Sequence, residues 1–368
     1  MLYIVVSCDF GYQISTCGVI RRRDSDYQVF PRMLFERRIL CEMTDLSGCV
    51  CLVTGATRGI GKGVAVALGK CGATVYITGR TLRTPNDGVG GSLQETTDDI
   101  NKYGGKAIPV VVDHSNETQV TDLFNRISRE QNGRLDILVN NVYSAVSFIS
   151  QNIKKPFYDI KNVSPGEAWD IVNNTGLKNH YVCCVLATRM MIEHQTKSDT
   201  NSPRPGLIVN ITSFGAKTYL FNVAYGTGKA ALDRMTKDMA KELKRAKVNI
   251  SIVGVAPGLV RTEHMLNFAD KGHLKLDFNN SESPELTGRV ISQLASEPSK
   301  KLLSRSGQIM NVCDLAEQFG IKEDDGRAIT NIRSIKFILS HFGFSIAKFI
   351  PNFVKVPEWL FDIILKYQ

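Results

Sequence analysis

The stretch Cys49-Val50-Cys51-Leu52-Val53-Thr54-Gly55-Ala56-Thr57-Arg58-Gly59-Ile60-Gly61 holds the pattern that decides the fold. An apolar, strand-forming run ends in a glycine-spaced loop, and a helical pattern then continues through Leu68. Strand, glycine loop and helix in that order open a βαβ unit. Glycines in such a loop permit a tight turn and let a pyrophosphate approach the backbone, where the amides at the helix N-terminus stabilise the anion. Gly55, Arg58, Gly59, Ile60 and Gly61 are therefore candidate cofactor-binding residues.

The next strand, 74–78, leads into Gly79-Arg80, eighteen positions beyond Gly61. A site for NAD usually carries a carboxylate there, to bind the ribose hydroxyls. Here the carboxylate is missing, and Arg80 with Arg58 offers guanidinium groups suited to a 2′-phosphate. NADP(H) is the expected cofactor. Further strand patterns lie at 108–112, 136–140, 207–212 and 249–255, with helical patterns between them. The alternation predicts a single doubly wound parallel sheet of the α/β, Rossmann-type class.

Between the last two strands stands Tyr225-Gly226-Thr227-Gly228-Lys229. Spaced i and i+4 on a helix, a phenol and an ammonium share one face. A free tyrosine titrates near about pH 10, and a neighbouring cation favours its phenolate. The pair is a candidate acid-base centre.

These features together resemble the short-chain dehydrogenase/reductase family over residues 46–261. Asp113, ending 110–113, resembles the family's adenine-contacting acid. Asn140-Asn141 resembles its Asn-Asn-Ala-Gly turn, and Pro257-Gly258 through Thr262 its Pro-Gly-x-x-x-Thr cofactor clamp. Ser213 falls twelve residues before Tyr225, close to the family's substrate-orienting serine, with Thr212 as a second candidate hydroxyl. The resemblance implies that Tyr225 is the general acid in reduction and that Lys229 lowers its pKa and holds the nicotinamide ribose. Ser213 would bind the substrate carbonyl, and Asp113, Asn140, Pro257, Gly258 and Thr262 would complete the cofactor site.

Two positions depart from the pattern. Gly176 stands where the family has a helix asparagine that relays protons through water, and Val142-Tyr143 replaces Ala-Gly after the paired asparagines. Both oddities, with Phe221-Asn222-Val223, Cys313-Asp314-Leu315-Ala316 and Asp325-Gly326-Arg327, resemble one subgroup of the family over 43–368. That resemblance implies an NADPH-dependent reductase of small-molecule carbonyls (steroid, prostaglandin-like and xenobiotic) at the cytosolic face of the endoplasmic reticulum membrane or in the cytoplasm. The alternative is an NADP-binding scaffold or sensor at a membrane, with catalysis weakened by the change at Gly176.

The connection 141–169 is long for an α/β unit and carries Tyr143 and Phe148; Phe214, Tyr219 and Phe221 fall between Ser213 and Tyr225. These five aromatics are the candidate walls of an apolar substrate pocket. The segment 263–282 resembles a lid over its opening.

The chain has 368 residues, is 43% hydrophobic and carries a net charge of +9, enough apolar material for a sizeable core. Its basic residues are dispersed without a basic-aromatic stripe, so a nucleic-acid partner is not expected. Nine cysteines without a Cys-x-x-Cys and six histidines without ligand spacing exclude a metal from the expectation and favour a reduced compartment. Three segments follow: 1–42, a disordered or mis-assigned leader; 43–330, the catalytic domain; and 331–368, a basic apolar tail. Pro351 and Pro357 interrupt the tail before it reaches the roughly 20 residues of a spanning helix. It lies on a membrane surface, folds back over the substrate cleft, or joins copies in a homo-oligomer.

Overall fold

The computed structural model describes residues 13–14, 19–21 and 27–29 and, from 44 to 361, all but 84–88, 154, 198–203, 271–277, 279–280, 328, 342–343 and 352. Residues 1–45 and 46–368 are separate compact units. In the first, β1 (Gln13–Ile14), β2 (Val19–Arg21) and β3 (Tyr27–Val29) pair antiparallel in chain order. The expectation of a disordered leader otherwise lies outside the described residues.

The second unit is built on seven parallel strands: β4 (Val50–Val53), β5 (Thr74–Gly79), β6 (Lys106–Val111), β7 (Ile137–Asn140), β8 (Gly206–Ile211), β9 (Ile250–Ala256) and β10 (Ile309–Asn311). Their order across the sheet is β10-β9-β8-β7-β4-β5-β6. The first three strands run outward from β4 and the chain then crosses to β7 on its other side, so the order reverses between β4 and β7. Ligands of open α/β sheets bind in the crevice at such a switch point, beyond the carboxyl ends of the strands.

Every residue of β4, β7, β8 and β9 is buried. This is why those strands read as continuous apolar runs: helices cover both faces of the sheet. Neighbouring residues of a strand point to opposite faces. Val53, Val75, Val139 and Val253 meet α1 (Gly59–Lys70) and α9 (Pro284–Ala295) on one side. Leu52, Tyr76, Leu138 and Ile252 meet the helices of the other side, among them α3 (Glu117–Glu130) and α6 (Asn179–Lys197).

The remaining helices are α2 (Leu93–Lys102), α4 (Val146–Asn152), α5 (Pro165–Asn173), α7 (Val223–Arg245), α8 (Glu263–Asp270), α10 (Ser299–Ser304), α11 (Val312–Phe319) and α12 (Ile335–His341). A π turn, Asn174–Lys178, joins α5 directly to α6. The connection after Asn141, read as a long loop, instead contains α4, because Phe148 and Ile149 bury against Val172 in a small core of their own. No helix among the described residues is long and apolar enough to cross a membrane.

Candidate active site

At the carboxyl end of β4 the glycine loop turns back on itself. Gly55 has φ 70°, and a Cβ placed at Gly61 would lie 2.2 Å from the Gly55 carbonyl oxygen, so neither position admits a larger residue without moving backbone. Asn141 locks this loop: its Nδ2 donates to the carbonyls of Thr54 at 3.0 Å and Gly55 at 2.9 Å. Asn140, the expected cofactor contact, faces the other way. Its fully buried carboxamide donates to Asn210 Oδ1 at 2.9 Å and to the His180 carbonyl at 3.4 Å, so it joins β7 to β8 and α6. Strand alternation sends the paired asparagines to opposite sides.

Thr262 packs against Gly59, and the next residue, Glu263, accepts a 2.9 Å hydrogen bond from the Gly59 amide at the start of α1. Of the residues expected to form the cofactor clamp, Thr262 packs on the glycine loop at Gly59. Beneath it the Gly258 amide donates to Glu282 Oε2 at 3.0 Å. Burial pushes the Glu282 carboxyl up to about 7, opposed by the Gly258 amide and aided by Glu323. Of the segment read as a lid, α8 and the Val260–Glu282 bridge are seen, whereas 271–277 and 279–280 lie outside the described residues.

Across the crevice Arg80 is exposed at the end of β5, and Arg58 supplies the residue before α1. Burial raises the pKa of Asp113, but two hydrogen bonds from Ser115 and the nearby charge of Arg80 outweigh it and hold the carboxyl below its ordinary range. Ile60 packs against the main core and positions the loop from behind.

The three candidate catalytic residues converge. Asn222 accepts a 2.9 Å hydrogen bond from the Tyr225 amide and so fixes the tyrosine in the first turn of α7. Ser213, just past β8, accepts from the Gly215 amide at 3.1 Å and lies near enough to the Tyr225 phenol to lower its pKa. Thr212 is committed elsewhere, donating to Asp233 Oδ1 at 2.5 Å, so Ser213 is the better placed of the two candidate hydroxyls. Lys229 is buried and donates to the Ile211 carbonyl at 2.9 Å.

The pKa expectation for the tyrosine is reversed. Burial pushes the Tyr225 phenol up, eased only by Ser213, while burial pushes Lys229 down to about 8. The ammonium turned toward Ile211 does not offset the desolvation of the phenol.

The aromatics expected around the pocket divide. Tyr143 and Phe221 stack edge to face on Tyr225 with centroids 5.9 and 5.1 Å away. Phe148 is buried behind them. Phe214 meets Phe361 of the tail at 5.9 Å, whereas Tyr219 is 71% exposed and outside the cluster. Asn173, three residues before Gly176, donates to the Ala224 carbonyl at 3.3 Å. A polar cavity of about 800 Å³ opens on the other flank of α7, between Lys237, β10 and Glu358, and is not lined by Ser213, Tyr225 or Lys229.

Residues 49–272 match the family model for short chain dehydrogenases. The chain belongs to the short-chain dehydrogenase/reductase family. This family member is 40% identical over 326 residues to dehydrogenase/reductase SDR family member 1 of Mus musculus, covering 86% of this chain and 96% of that one. It is 31% identical to a 7alpha-hydroxysteroid dehydrogenase of Clostridium sardiniense, over 70% of this chain and 90% of the relative. Among solved structures it superposes, at TM-score 0.57 and 27% identity, on a putative NAD(P)-dependent gluconate 5-dehydrogenase from Beutenbergia cavernae with bound NADP, covering 73% of this chain and 96% of that one. The protein is thus an NAD(P)-dependent oxidoreductase, and its tightly closed glycine loop, standing at the switch point of the sheet and at the start of α1, fits the dinucleotide.

Asn141 and Asn222 stand in motifs read from the sequence and Glu263 and Glu282 bound the lid segment, but no role was assigned to any of the four. Asn141 adjoins a residue that was given one, and Glu263 follows Thr262 directly. Glu282 had no local signal, because only its bridge with Val260, twenty-two residues away, brings it under Gly258.

Proposed function

We propose that this protein is an NADPH-dependent carbonyl reductase acting on bulky, apolar ketones and aldehydes (steroid, prostaglandin-like and xenobiotic carbonyls), with Tyr225 as general acid. The convergence of Ser213, Tyr225 and buried Lys229 at the carboxyl edge of the sheet carries this reading. Arg58 and Arg80 favour the 2′-phosphate, and the hydroxysteroid dehydrogenase among the relatives supports a bulky alicyclic substrate.

The bound dinucleotide supplies the hydride. Burial keeps the Tyr225 phenol protonated at neutral pH, the form a reductase needs. Ser213 and Tyr225 donate to the carbonyl oxygen, where negative charge develops, and the phenol proton passes to the nascent alkoxide. The Lys229 ammonium stabilises the phenolate left behind, and Phe221, Tyr143 and the Phe214/Phe361 pair keep the site apolar.

Oxidation of NADPH and NADH, measured with a panel of diketones, quinones and steroid ketones, tests the reading. Turnover is expected with NADPH, and Tyr225→Phe should lower kcat by about 10²–10⁴. A wild-type protein that binds NADPH yet reduces nothing would establish the scaffold reading instead, and equal use of NADH would remove the roles of Arg58 and Arg80.

The exposed Phe344, Ile346, Phe349, Phe353 and Trp359, beside Lys348, favour attachment of the tail to a membrane surface such as the cytosolic face of the endoplasmic reticulum. Truncation after Asn331 should then abolish sedimentation with anionic vesicles; undiminished sedimentation rules the tail out.

A further inference from the structure

Tyr143 and Gly176, the two departures from the family pattern, touch each other. A Cβ at Gly176 would lie 2.6 Å from Cδ2 and 2.7 Å from Cε2 of Tyr143, so no larger residue fits in the π turn while the ring keeps its place. The same ring meets Tyr225 edge to face, centroids 5.9 Å apart at 76°, and Lys229 Nζ stands 5.3 Å from its centre. Among the described residues its buried hydroxyl has no hydrogen-bond partner, and burial pushes its pKa up, so the residue stays neutral and acts through its ring.

We infer that Tyr143, seated against Gly176, is a positioning residue for the reaction: its ring fixes the orientation of Tyr225 and holds the Lys229 side chain charged beside it. The inference rests on the reading of Tyr225 and Lys229 as the reacting pair. Burial favours a neutral amine at Lys229, as does the neighbouring His180 when protonated, while the Asp233 carboxylate one turn along α7 opposes it in part. An aromatic ring near a desolvated ammonium attracts the charged form and opposes that loss. Edge-to-face contact meanwhile restricts the tyrosine ring it touches. A side chain at 176 and the ring at 143 compete for one volume, so the two departures are a single device: the glycine makes room for the ring.

The test uses the full chain carrying Tyr143→Phe, Tyr143→Leu, Gly176→Ala, or Tyr143→Leu with Gly176→Ala. Lys229 is titrated in the cofactor-free protein by NMR of ¹³C-labelled lysine, its resonance identified by its loss in Lys229→Met. kcat, KM and Tm are measured alongside. Tyr143→Phe should keep the lysine titration and hold kcat within about twofold, since the ring remains. Tyr143→Leu should lower the lysine pKa by about one pH unit and kcat by roughly tenfold. Gly176→Ala should do the same by displacing the ring, and the double variant should be no worse than either single one. An unchanged lysine titration in Tyr143→Leu overturns the inference, as do losses that multiply in the double variant. Should Gly176→Ala fail to fold, the contrast between Tyr143→Leu and Tyr143→Phe decides. The lysine titration stands apart from turnover, so failure of the reductase reading under Tyr225→Phe is distinguishable from failure of this one.

Discussion

Lys229 is the residue at which function opposes stability most directly. Its pKa falls from the ordinary lysine value to about 8 because the ammonium is buried. Between that value and about pH 10.4 the folded chain binds fewer protons than the unfolded one, so stability rises with pH across this window and the full penalty applies below it. Lys229→Met should therefore stabilise the cofactor-free protein by about 1–3 kcal/mol at pH 7, with the gain shrinking by pH 10, while reduction is lost. Urea denaturation at both pH values checks this; equal stability of the two proteins at pH 7 would mean that the charge is not desolvated. In the wild type, reduction should decline as pH rises through about 8, where Lys229 loses its charge. The i,i+4 spacing made the Tyr225/Lys229 pair legible in sequence, yet the direction of the tyrosine shift was not, because spacing says nothing of burial. The choice between Thr212 and Ser213 likewise fell to Asp233, a partner twenty-one residues from Thr212.

Among elements, α1 and α9 show how closely the glycine-rich first helix must be packed to hold the cofactor loop. A Cβ at Gly288 would lie 2.4 Å from the Gly63 carbonyl oxygen and 2.7 Å from the Ala67 Cβ. The helices meet backbone to backbone, and neither neighbour is the end of a flexible chain. Gly288→Ala gains up to about 1 kcal/mol of helix propensity but forces the pair apart, for a net destabilisation of about 1–3 kcal/mol. Gly166→Ala, in α5 with nothing within 4 Å, should instead be neutral or stabilising by about 0.5–1 kcal/mol. Urea midpoints of the two variants provide the check, and a Gly288→Ala as stable as Gly166→Ala would show that the helices tolerate separation. Six of the seven strands were legible as apolar runs. β10 was not, since three residues gain strand geometry only by pairing with Gly254, Val255 and Ala256. The π turn was also hidden: Asn174–Lys178 reads as helix, and its wider winding shows only in the hydrogen bonding of the backbone.

For the molecule as a whole, two histidines buried between the layers set the response to acid. His114 bridges Thr78 at 2.7 Å and Asn179 at 3.2 Å, and His180 contacts the Val142 carbonyl at 3.1 Å. Burial pushes them down to about 4 and about 3, with Lys229 adding to the effect at His180. As pH falls below about 6.5 the unfolded chain takes up protons that the folded chain refuses, so stability declines by about 1.4 kcal/mol per pH unit for each histidine until their folded pKa values are reached. His180→Gln should flatten that decline by roughly one proton between pH 6 and 4, measured by urea unfolding across the range; an unaltered slope would place the histidine in contact with water. The tail belongs to this scale too, held to the domain by the Arg333–Asp314 pair at 2.6 Å, by Lys355 with Glu317, and by Phe361 on Phe214. By itself the sequence determined the doubly wound sheet, the glycine loop and the tyrosine-lysine pair, because each is written in local periodicity and short spacing. Only the tertiary structure decided that Asn141 and not Asn140 locks the loop, that Glu282 underlies Gly258, that Phe361 meets Phe214, and that Tyr143 fills the space left by Gly176. Those contacts join residues distant in the chain, and they depend on which face of each element the packed core leaves toward the site.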